Sequence, residues 1–595
     1  MKVTERISAL QALMCEQGIN AYIVPTADYH QSEYVGEHFK ARAFLTGFTG
    51  SAGTAVVMRD KAYLWTDGRY FLQAAAQLEG TGITLMKSGE EGVPEINDFL
   101  RNELCEGGVI GFDGRTAGTE EGKEFEKIAG EKSGSISYEN DLVGAIWEDR
   151  PEISRKPAFS LSLSYAGEST ASKLERIRSK MKEQKADILL LTGLDDIGWM
   201  LNIRGRDVEY FPLLLSYAVV KTDEVELYVD EEKLDADIKI ALAENCIRVY
   251  NYNDIYERVK CFAEGTRVWL DVHQVNYALY RNLPAQVTVI EQEHPLVLMK
   301  AVKNEIEVEN IREAHIKDGV AHTKFMYWLK HNIGKNRMTE MSASDKLEQL
   351  RREQGDFISP SFDPICAYKE HAAIVHYSSS PETNVELKPE GLFLTDTGGN
   401  YYQGSTDITR TVALGPVTET ERKHFTMVVV SMLNLADAVF LYGSTGMNLD
   451  YIAREPFWRQ HLNYNHGTGH GVGYLGNIHE PPQRFHWKSS ANSCQALEKN
   501  MVITDEPGIY IEGSHGIRIE NELLVCEGEK NEYGQFMHFE HLTFVPIDLD
   551  ALEPGLMTEK ERQLLNSYHR KVYEKIAPYL NEDERDWLKV YTREI

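Results

Sequence analysis

Leu392-Phe393-Leu394-Thr395-Asp396, then Gly398-Gly399-Asn400, then Thr406-Asp407-Ile408-Thr409-Arg410-Thr411-Val412: this stretch puts acids where a core strand should be apolar. The first five residues read as a buried strand ending in a carboxylate, the glycine-rich run as a turn, and the last seven as the return strand. The midpoint of Asp396 and Asp407 falls between residues 401 and 402, inside that turn. A hairpin closing there sets the two carboxylates opposite each other on neighbouring strands. The arrangement comes again downstream. Met501-Val502-Ile503-Thr504-Asp505-Glu506 is a strand stopped by Pro507-Gly508, and it returns after Gly513 and Gly516 as Ile517-Arg518-Ile519-Glu520. Gly513 is the midpoint of Glu506 and Glu520. Alternation then places Arg518 and Glu520 on one face and Ile517 and Ile519 on the other.

Facing anions repel, and desolvation adds to the cost, so two such hairpins in one domain need a counter-charge. Either hairpin alone is accounted for by a solvated loop. Both together, with His466-Gly467-Thr468-Gly469-His470-Gly471-Val472-Gly473 between them, point to divalent metal. Four carboxylates and one imidazole favour a hard or borderline ion such as Mn²⁺ over a thiolate-type zinc site, and two ions ~3.5 Å apart would use the whole set. Spacing does not decide which histidine binds. The alternating glycines let the backbone approach a ligand closely. Gly467 and Gly469 also argue against a zinc-protease helix carrying His466 and His470. Residues 47–53 lack the Lys-Ser/Thr of a phosphate loop and read as a turn before the strand at 54–57. No serine has glycine at both −2 and +2, so a hydrolase nucleophile elbow is absent.

Outward from this core, the first 300 residues look duplicated. A helical pattern at 7–15 leads into the strand Ala21-Tyr22-Ile23-Val24-Pro25, and one at 174–184 leads into Asp187-Ile188-Leu189-Leu190-Leu191-Thr192. Tyr63-Leu64-Trp65-Thr66-Asp67 is echoed by Glu226-Leu227-Tyr228-Val229-Asp230. Helices and strands alternate in both copies, which predicts small α/β domains. A Ser-rich stretch at 150–172 reads as the first linker, and a second boundary lies near 294–303. A charged helical tail is expected over 559–595. The 595 residues carry a formal net charge of −29, which argues against nucleic-acid and anionic-membrane partners. Seven scattered cysteines without a C-x-x-C pair, and no ~20-residue apolar run, fit a reducing, cytoplasmic setting.

In order along the chain, Ala373-Ile374-Val375-His376-Tyr377, Thr395-Asp396-Thr397-Gly398, Thr406-Asp407-Ile408-Thr409-Arg410-Thr411, 466–473, Asp505-Glu506-Pro507-Gly508 and Gly516-Ile517-Arg518-Ile519-Glu520-Asn521 resemble the pita-bread metallopeptidases of family M24. Within that family the match is to the three-domain aminopeptidase P branch, and it extends to 44–53 and Trp65-Thr66-Asp67-Gly68-Arg69-Tyr70. The resemblance implies an α/β (α+β) chain. Two creatinase-like domains, 1–158 and 159–300, would precede a pita-bread catalytic domain, 301–535, and a C-terminal helical extension, 536–595. It implies two divalent ions, Mn²⁺ first with Zn²⁺ or Co²⁺ as alternatives, on Asp396, Asp407, His470, Glu506 and Glu520, with Asp407 and Glu520 bridging. His376 and His479 would contact the scissile carbonyl, and His466 and Arg518 would line the substrate pocket. Residues 368–371 depart from the pattern, being bulkier than in many relatives. The implied reaction is release of the first residue from Xaa-Pro-Yaa peptides. A metal-bridging hydroxide would attack, and Glu506 would carry the proton. The expected assembly is a cytoplasmic homodimer. Prolidase, which takes the Xaa-Pro dipeptide, is the nearest alternative, and a non-catalytic peptide-binding scaffold is the alternative from another class.

Overall fold

Apolar β-branched runs punctuated by glycine build seven sheets in the computed structural model, which describes residues 1–488 and 494–595. The chain divides into two compact units, Met1–Leu161 with Glu168–Leu296, and Ser162–Gly167 with Val297–Ile595.

The first unit holds two six-stranded sheets of one topology. In the first the spatial order is Ile83–Lys87, Ala62–Thr66, Thr54–Met58, Ala21–Pro25, Val109–Phe112, Ser135–Ser137. In the second it is Ile247–Tyr250, Val225–Val229, Ser216–Lys221, Ile188–Leu191, Arg267–Leu270, Thr288–Glu291. Corresponding neighbours run in the same sense: in each sheet the third strand is antiparallel to both its neighbours and every other pair is parallel. The two sequence echoes fall on equivalent strands. The expected first linker differs from the structure at one point. Ser162–Gly167, carrying the short helix Leu163–Ala166, belongs to the second unit. There Asn304 and Asn310 donate to the Ala166 and Ser164 carbonyls, both at 2.9 Å.

The second unit opens with the long helix Glu305–Asn332, capped by Asn304, whose side chain accepts from the N–H groups of Ile306 and Glu307. Its core gathers Phe325 and Leu329 from that helix, Phe425 and Val428 from helix Glu419–Ala436, Phe393, Val412 and Ile517 from the strands, and Ile519 from the break that follows. The tail helices Glu559–Ile576 and Glu582–Tyr591 add Leu565, Val572 and Leu588 to the same cluster. Fully buried Arg410 ties strands to tail, with no carboxylate partner among the described residues. It donates to the carbonyls of Glu520 (2.6 Å) and Val545 (2.9 Å), and to Asn521 Oδ1 and Tyr568 Oη, both at 2.8 Å. Among the described residues no helix is long and apolar enough to cross a membrane.

Candidate metal centre

Strand Leu392–Thr397 pairs antiparallel with Ile408–Ala413, but Asp396 faces Thr409 rather than Asp407. The hairpin continues through Asn400↔Ser405 and Tyr401↔Gly404, so its turn is Tyr402-Gln403, one residue later than the glycine run suggests. A one-residue shift of the turn moves every partner by two, and a shift of two keeps a side chain on its face. The two aspartates are therefore diagonal neighbours on one face rather than directly opposed. The second hairpin has the register its spacing predicts, with Gly508↔Arg518 through Ile511↔His515 on one side of Glu506 and Glu520 and Asp505↔Asn521 through Val502↔Leu524 on the other. Both glutamates sit where the ladder breaks. The Glu506 N–H donates to the Thr468 carbonyl (2.8 Å) and the Glu520 N–H to the Thr409 carbonyl (3.1 Å). These bonds draw the histidine loop and the first hairpin onto the second.

His470 lies on the three-residue strand Gly469–Gly471. Its glycine neighbours make room for protein backbone, not for a ligand: a Cβ on Gly469 would stand 1.9 Å from the Thr504 carbonyl oxygen, and one on Gly471 2.2 Å from that of Glu480. His470 Nδ1 is 2.9 Å from the Gly471 carbonyl, which only accepts, so the ring proton is on Nδ1 and the Nε2 lone pair faces the acids. Nε2 stands 3.5 Å from Asp407 Oδ2 and 3.6 Å from Glu506 Oε1. Among the described residues, one group of three or more metal-ligating side chains brings its ligand atoms within 4.8 Å of one another: Asp407, His470 and Glu520. Glu506 flanks it beside His470. Asp396 is held by Arg518, whose Nε and Nη2 donate to Asp396 Oδ2 at 3.1 and 2.5 Å.

The set is charged against its own burial. Burial, and then the neighbouring carboxylates, push Asp407 and Glu520 well above the usual carboxylate range. Burial also raises Glu506. Asp396 Oδ1 and Glu520 Oε1 are buried and accept no hydrogen bond from the described residues. Oxygens left unmatched among mutually repelling carboxylates, with one oriented imidazole, suit divalent cations.

The remaining sequence candidates surround this set. His479 packs edge-on against His470, with ring centroids 4.3 Å apart. His376 follows Val375, whose carbonyl accepts from Arg518 Nη2 at 3.3 Å. Arg518 is 1% exposed and directs its donors to Asp396, Val375 and Tyr510, so it is placed to hold Asp396 rather than to meet substrate. His466 Nε2 lies 2.8 Å from Tyr510 Oη, which accepts from Arg518 Nη1 at 2.7 Å. Tyr510, absent from the sequence candidates, thus links His466 through Arg518 to Asp396. Its signal was available: the 508–518 register puts Tyr510 opposite Gly516, on the Arg518 face. Thr409, whose hydroxyl donates to Glu520 Oε2 at 2.7 Å, and Glu522, which accepts the Asp407 N–H at 2.6 Å, carried no such signal. The bulky 368–371 segment is anchored by fully buried Glu340, which accepts from the Tyr368 N–H (2.8 Å) and Tyr377 Oη (2.8 Å) and pairs with His371 Nδ1 (2.9 Å).

Stretches of the chain match known families. Residues 6–141 and 149–307 match creatinase/prolidase N-terminal domains, 309–527 metallopeptidase family M24, and 535–595 the C-terminal region of peptidase M24. Aminopeptidase P1 of Arabidopsis thaliana is 35% identical, over 100% of this chain and 99% of that protein. An X-prolyl aminopeptidase structure from Caenorhabditis elegans, described as a cytosolic enzyme with a di-nuclear active site, superposes with a TM-score of 0.95 at 33% identity, covering 100% of both chains. A prolidase from Pyrococcus horikoshii reaches a TM-score of 0.50 at 25% identity and covers 63% of this chain and 99% of its own.

Proposed function

The chain belongs to metallopeptidase family M24, and from that premise we propose that it is an Xaa-Pro aminopeptidase, releasing the first residue from peptides with proline second. The observation that carries the reading is the convergence of Asp407, His470 and Glu520 with their ligand atoms within 4.8 Å, flanked by Asp396 and Glu506. These five side chains would hold two divalent cations, with Asp407 and Glu520 shared between them. Mn²⁺ is the proposed metal, supported by the excess of oxygen over nitrogen and sulfur donors. When bound, such ions polarise a peptide carbonyl and make water acidic enough to lose a proton near neutral pH.

The protein's own groups supply the rest. Glu506 takes the proton of the attacking water and delivers it to the proline nitrogen as the C–N bond breaks; burial, which favours its protonated form, suits that exchange. His479, beside His470, and His376, next to the Arg518-held Val375 carbonyl, donate to the carbonyl oxygen as negative charge develops there. His466, fixed by Tyr510, faces the residue after the scissile bond. Arg518 keeps Asp396 oriented.

The proposed domain boundaries are 1–158, 159–300, 301–535 and 536–595, supported by the two like sheets and the tail's share of the catalytic core. A cytoplasmic location is supported by the cytosolic relative and by seven free thiols. Homodimerisation is supported by a run of exposed rings: Tyr451 and Trp458, and Trp458 and Trp487, each have centroids 5.8 Å apart. Prolidase is the weaker reading, since its folds lack a counterpart to more than a third of this chain. The deciding experiment pairs metal analysis with hydrolysis of Xaa-Pro and Xaa-Pro-Yaa peptides. About two divalent ions per chain and preference for the tripeptide are expected. Cleavage of the dipeptide alone overturns the assignment.

A further inference from the structure

We propose that helix Glu305–Asn332 acts as a clasp behind the first hairpin, setting the separation of Asp396 and Asp407 and with it the capacity for a second cation; the inference rests on the two-cation reading above. The clasp is a buried polar stripe, His315, Asp318 and His322, on an i, i+3, i+7 face, each residue 0% exposed, with Arg351 of helix Glu340–Arg352 as its outer partner.

Each member of the stripe reaches a residue that is adjacent to a proposed ligand in the chain or is hydrogen-bonded to its backbone. Asp318 Oδ2 accepts from the Thr406 hydroxyl at 2.5 Å, immediately before Asp407. Asp318 Oδ1 accepts from Arg351 Nε at 2.6 Å, and Arg351 Nη2 donates to both the carbonyl and the hydroxyl of Thr397 at 3.0 Å, immediately after Asp396. One ion pair thus grips the flanks of both aspartates. His315 Nε2 stands 3.2 Å from Glu522 Oε2, and the other oxygen of Glu522 accepts the Asp407 N–H. His322 Nε2 lies 3.4 Å from the hydroxyl of Thr395, immediately before Asp396.

Strand pairing does not do this work. The registered ladder runs to Thr397↔Ile408 and resumes at Asn400↔Ser405, so Asp407 lies in the gap and its N–H goes to Glu522. Stability does not account for the pair either, because a buried ion pair is commonly no better than well-packed apolar residues of like volume. What the pair supplies is position. A carboxylate shared by two cations must be held to within about 0.5 Å, and groups behind the ligands are what hold it.

The test titrates Mn²⁺ alone into the chelator-stripped full-length chain by calorimetry, with thermal unfolding followed alongside. Asp318→Leu combined with Arg351→Met removes both charges together and leaves neither buried alone. Thr406→Val removes only one hydroxyl and carries the test if the double variant does not fold. Leu329→Ala, on the same helix but in the apolar core, is the control for plain destabilisation. The wild-type chain is expected to bind two ions. The clasp variants should bind the second 10–100-fold more weakly, the usual range for groups behind a ligand. Leu329→Ala should unfold at lower temperature yet keep both affinities. Folded clasp variants that bind two ions with wild-type affinity overturn the inference and leave the function intact. So does a Leu329→Ala chain that loses the second ion equally. A wild-type chain that binds no Mn²⁺ overturns the two-cation reading and the clasp with it.

Discussion

Tyr510→Phe removes one oxygen from a hydrogen-bond chain whose polarity can be worked out in full. Arg518 Nη1 only donates, so Tyr510 Oη must accept from it, and the phenolic proton is left for His466 Nε2 at 2.8 Å. His466 then carries its own proton on Nδ1, which donates to the Gly467 carbonyl at 2.7 Å. Tyr510 therefore fixes the neutral tautomer and the orientation of His466 while bracing the guanidinium that holds Asp396. Losing the hydroxyl deletes a charge-assisted bond worth about 1.5–3 kcal/mol and a neutral bond worth about 0.5–1.5 kcal/mol. If half of that is felt at the transition state, kcat/KM on an Xaa-Pro-Yaa tripeptide falls by about 5–40-fold, at 1.4 kcal/mol per decade. The ring stays, so packing and thermal stability should hardly change. Because the hydroxyl meets both a pocket histidine and a ligand's partner, KM should rise and Mn²⁺ affinity should fall together. A variant with kcat/KM within threefold of wild type and unchanged Mn²⁺ binding would refute the chain of donors.

Asp407→Ala should abolish Mn²⁺ binding by calorimetry and tripeptide turnover alike, since Asp407 is the carboxylate on which His470 and the other acids converge. The stripped protein should lose stability as pH rises. Asp407, Glu506 and Glu520 are raised when folded, so their contribution is full below the ordinary carboxylate range and disappears as pH climbs through the folded values. The gain in thermal midpoint on adding Mn²⁺ should therefore be larger at pH 8 than at pH 5. His371 is also raised, by its bond to Glu340, from 6.5, so it stabilises fully below about pH 6.5 and less as pH rises beyond it. His371→Gln should flatten the midpoint-versus-pH curve between pH 6 and 8. Arg410→Met removes the donor to four backbone carbonyls (Thr409, Glu520, Val545 and Pro546), the Tyr568 hydroxyl and Asn521 around a buried site, and should cost about 3–5 kcal/mol in urea unfolding of the second unit.

The parts of this molecule legible in its sequence are those that strand periodicity protects. The first hairpin's turn was misplaced by one residue, yet Asp396 and Asp407 stayed on one face because the error moved partners by two. In the second, Gly513 with φ +67° marks the true centre, and the register followed. The repeat in the first unit was visible because helix and strand patterns return in order. Less was legible where an assignment depends on what lies across the fold. The glycines around His470 suggested a ligand's approach, but the close approach is by the Thr504 and Glu480 carbonyls, whose positions no local pattern encodes. Arg518 looked like a pocket residue, since an arginine on the site face of a strand is read as exposed until a buried carboxylate is found beside it.

The same limit explains why the clasp could not be read. On helix Glu305–Asn332, His315, Asp318 and His322 look like the polar side of an amphipathic helix, which a sequence reader turns toward water. Here that face is buried along its length, because Phe325 and Leu329, each seven residues on from Asp318 and His322, continue the same stripe into the apolar core. A buried polar stripe needs partners, and those found are Arg351, Thr395, Thr397, Thr406 and Glu522; among the described residues His315 Nδ1 and His322 Nδ1 have no hydrogen-bond partner. Three of the five are threonines of the hairpin that carries Asp396 and Asp407. Threonine in a strand reads as a β-former and nothing more, yet in this hairpin Thr397 and Thr406 point away from the face shared by the aspartates, as alternation requires of residues one step from each. The run Thr395-Asp396-Thr397 and the pair Thr406-Asp407 are thus two-faced segments. The acids serve the site, the hydroxyls serve the helix behind it, and the geometry of the first depends on the second.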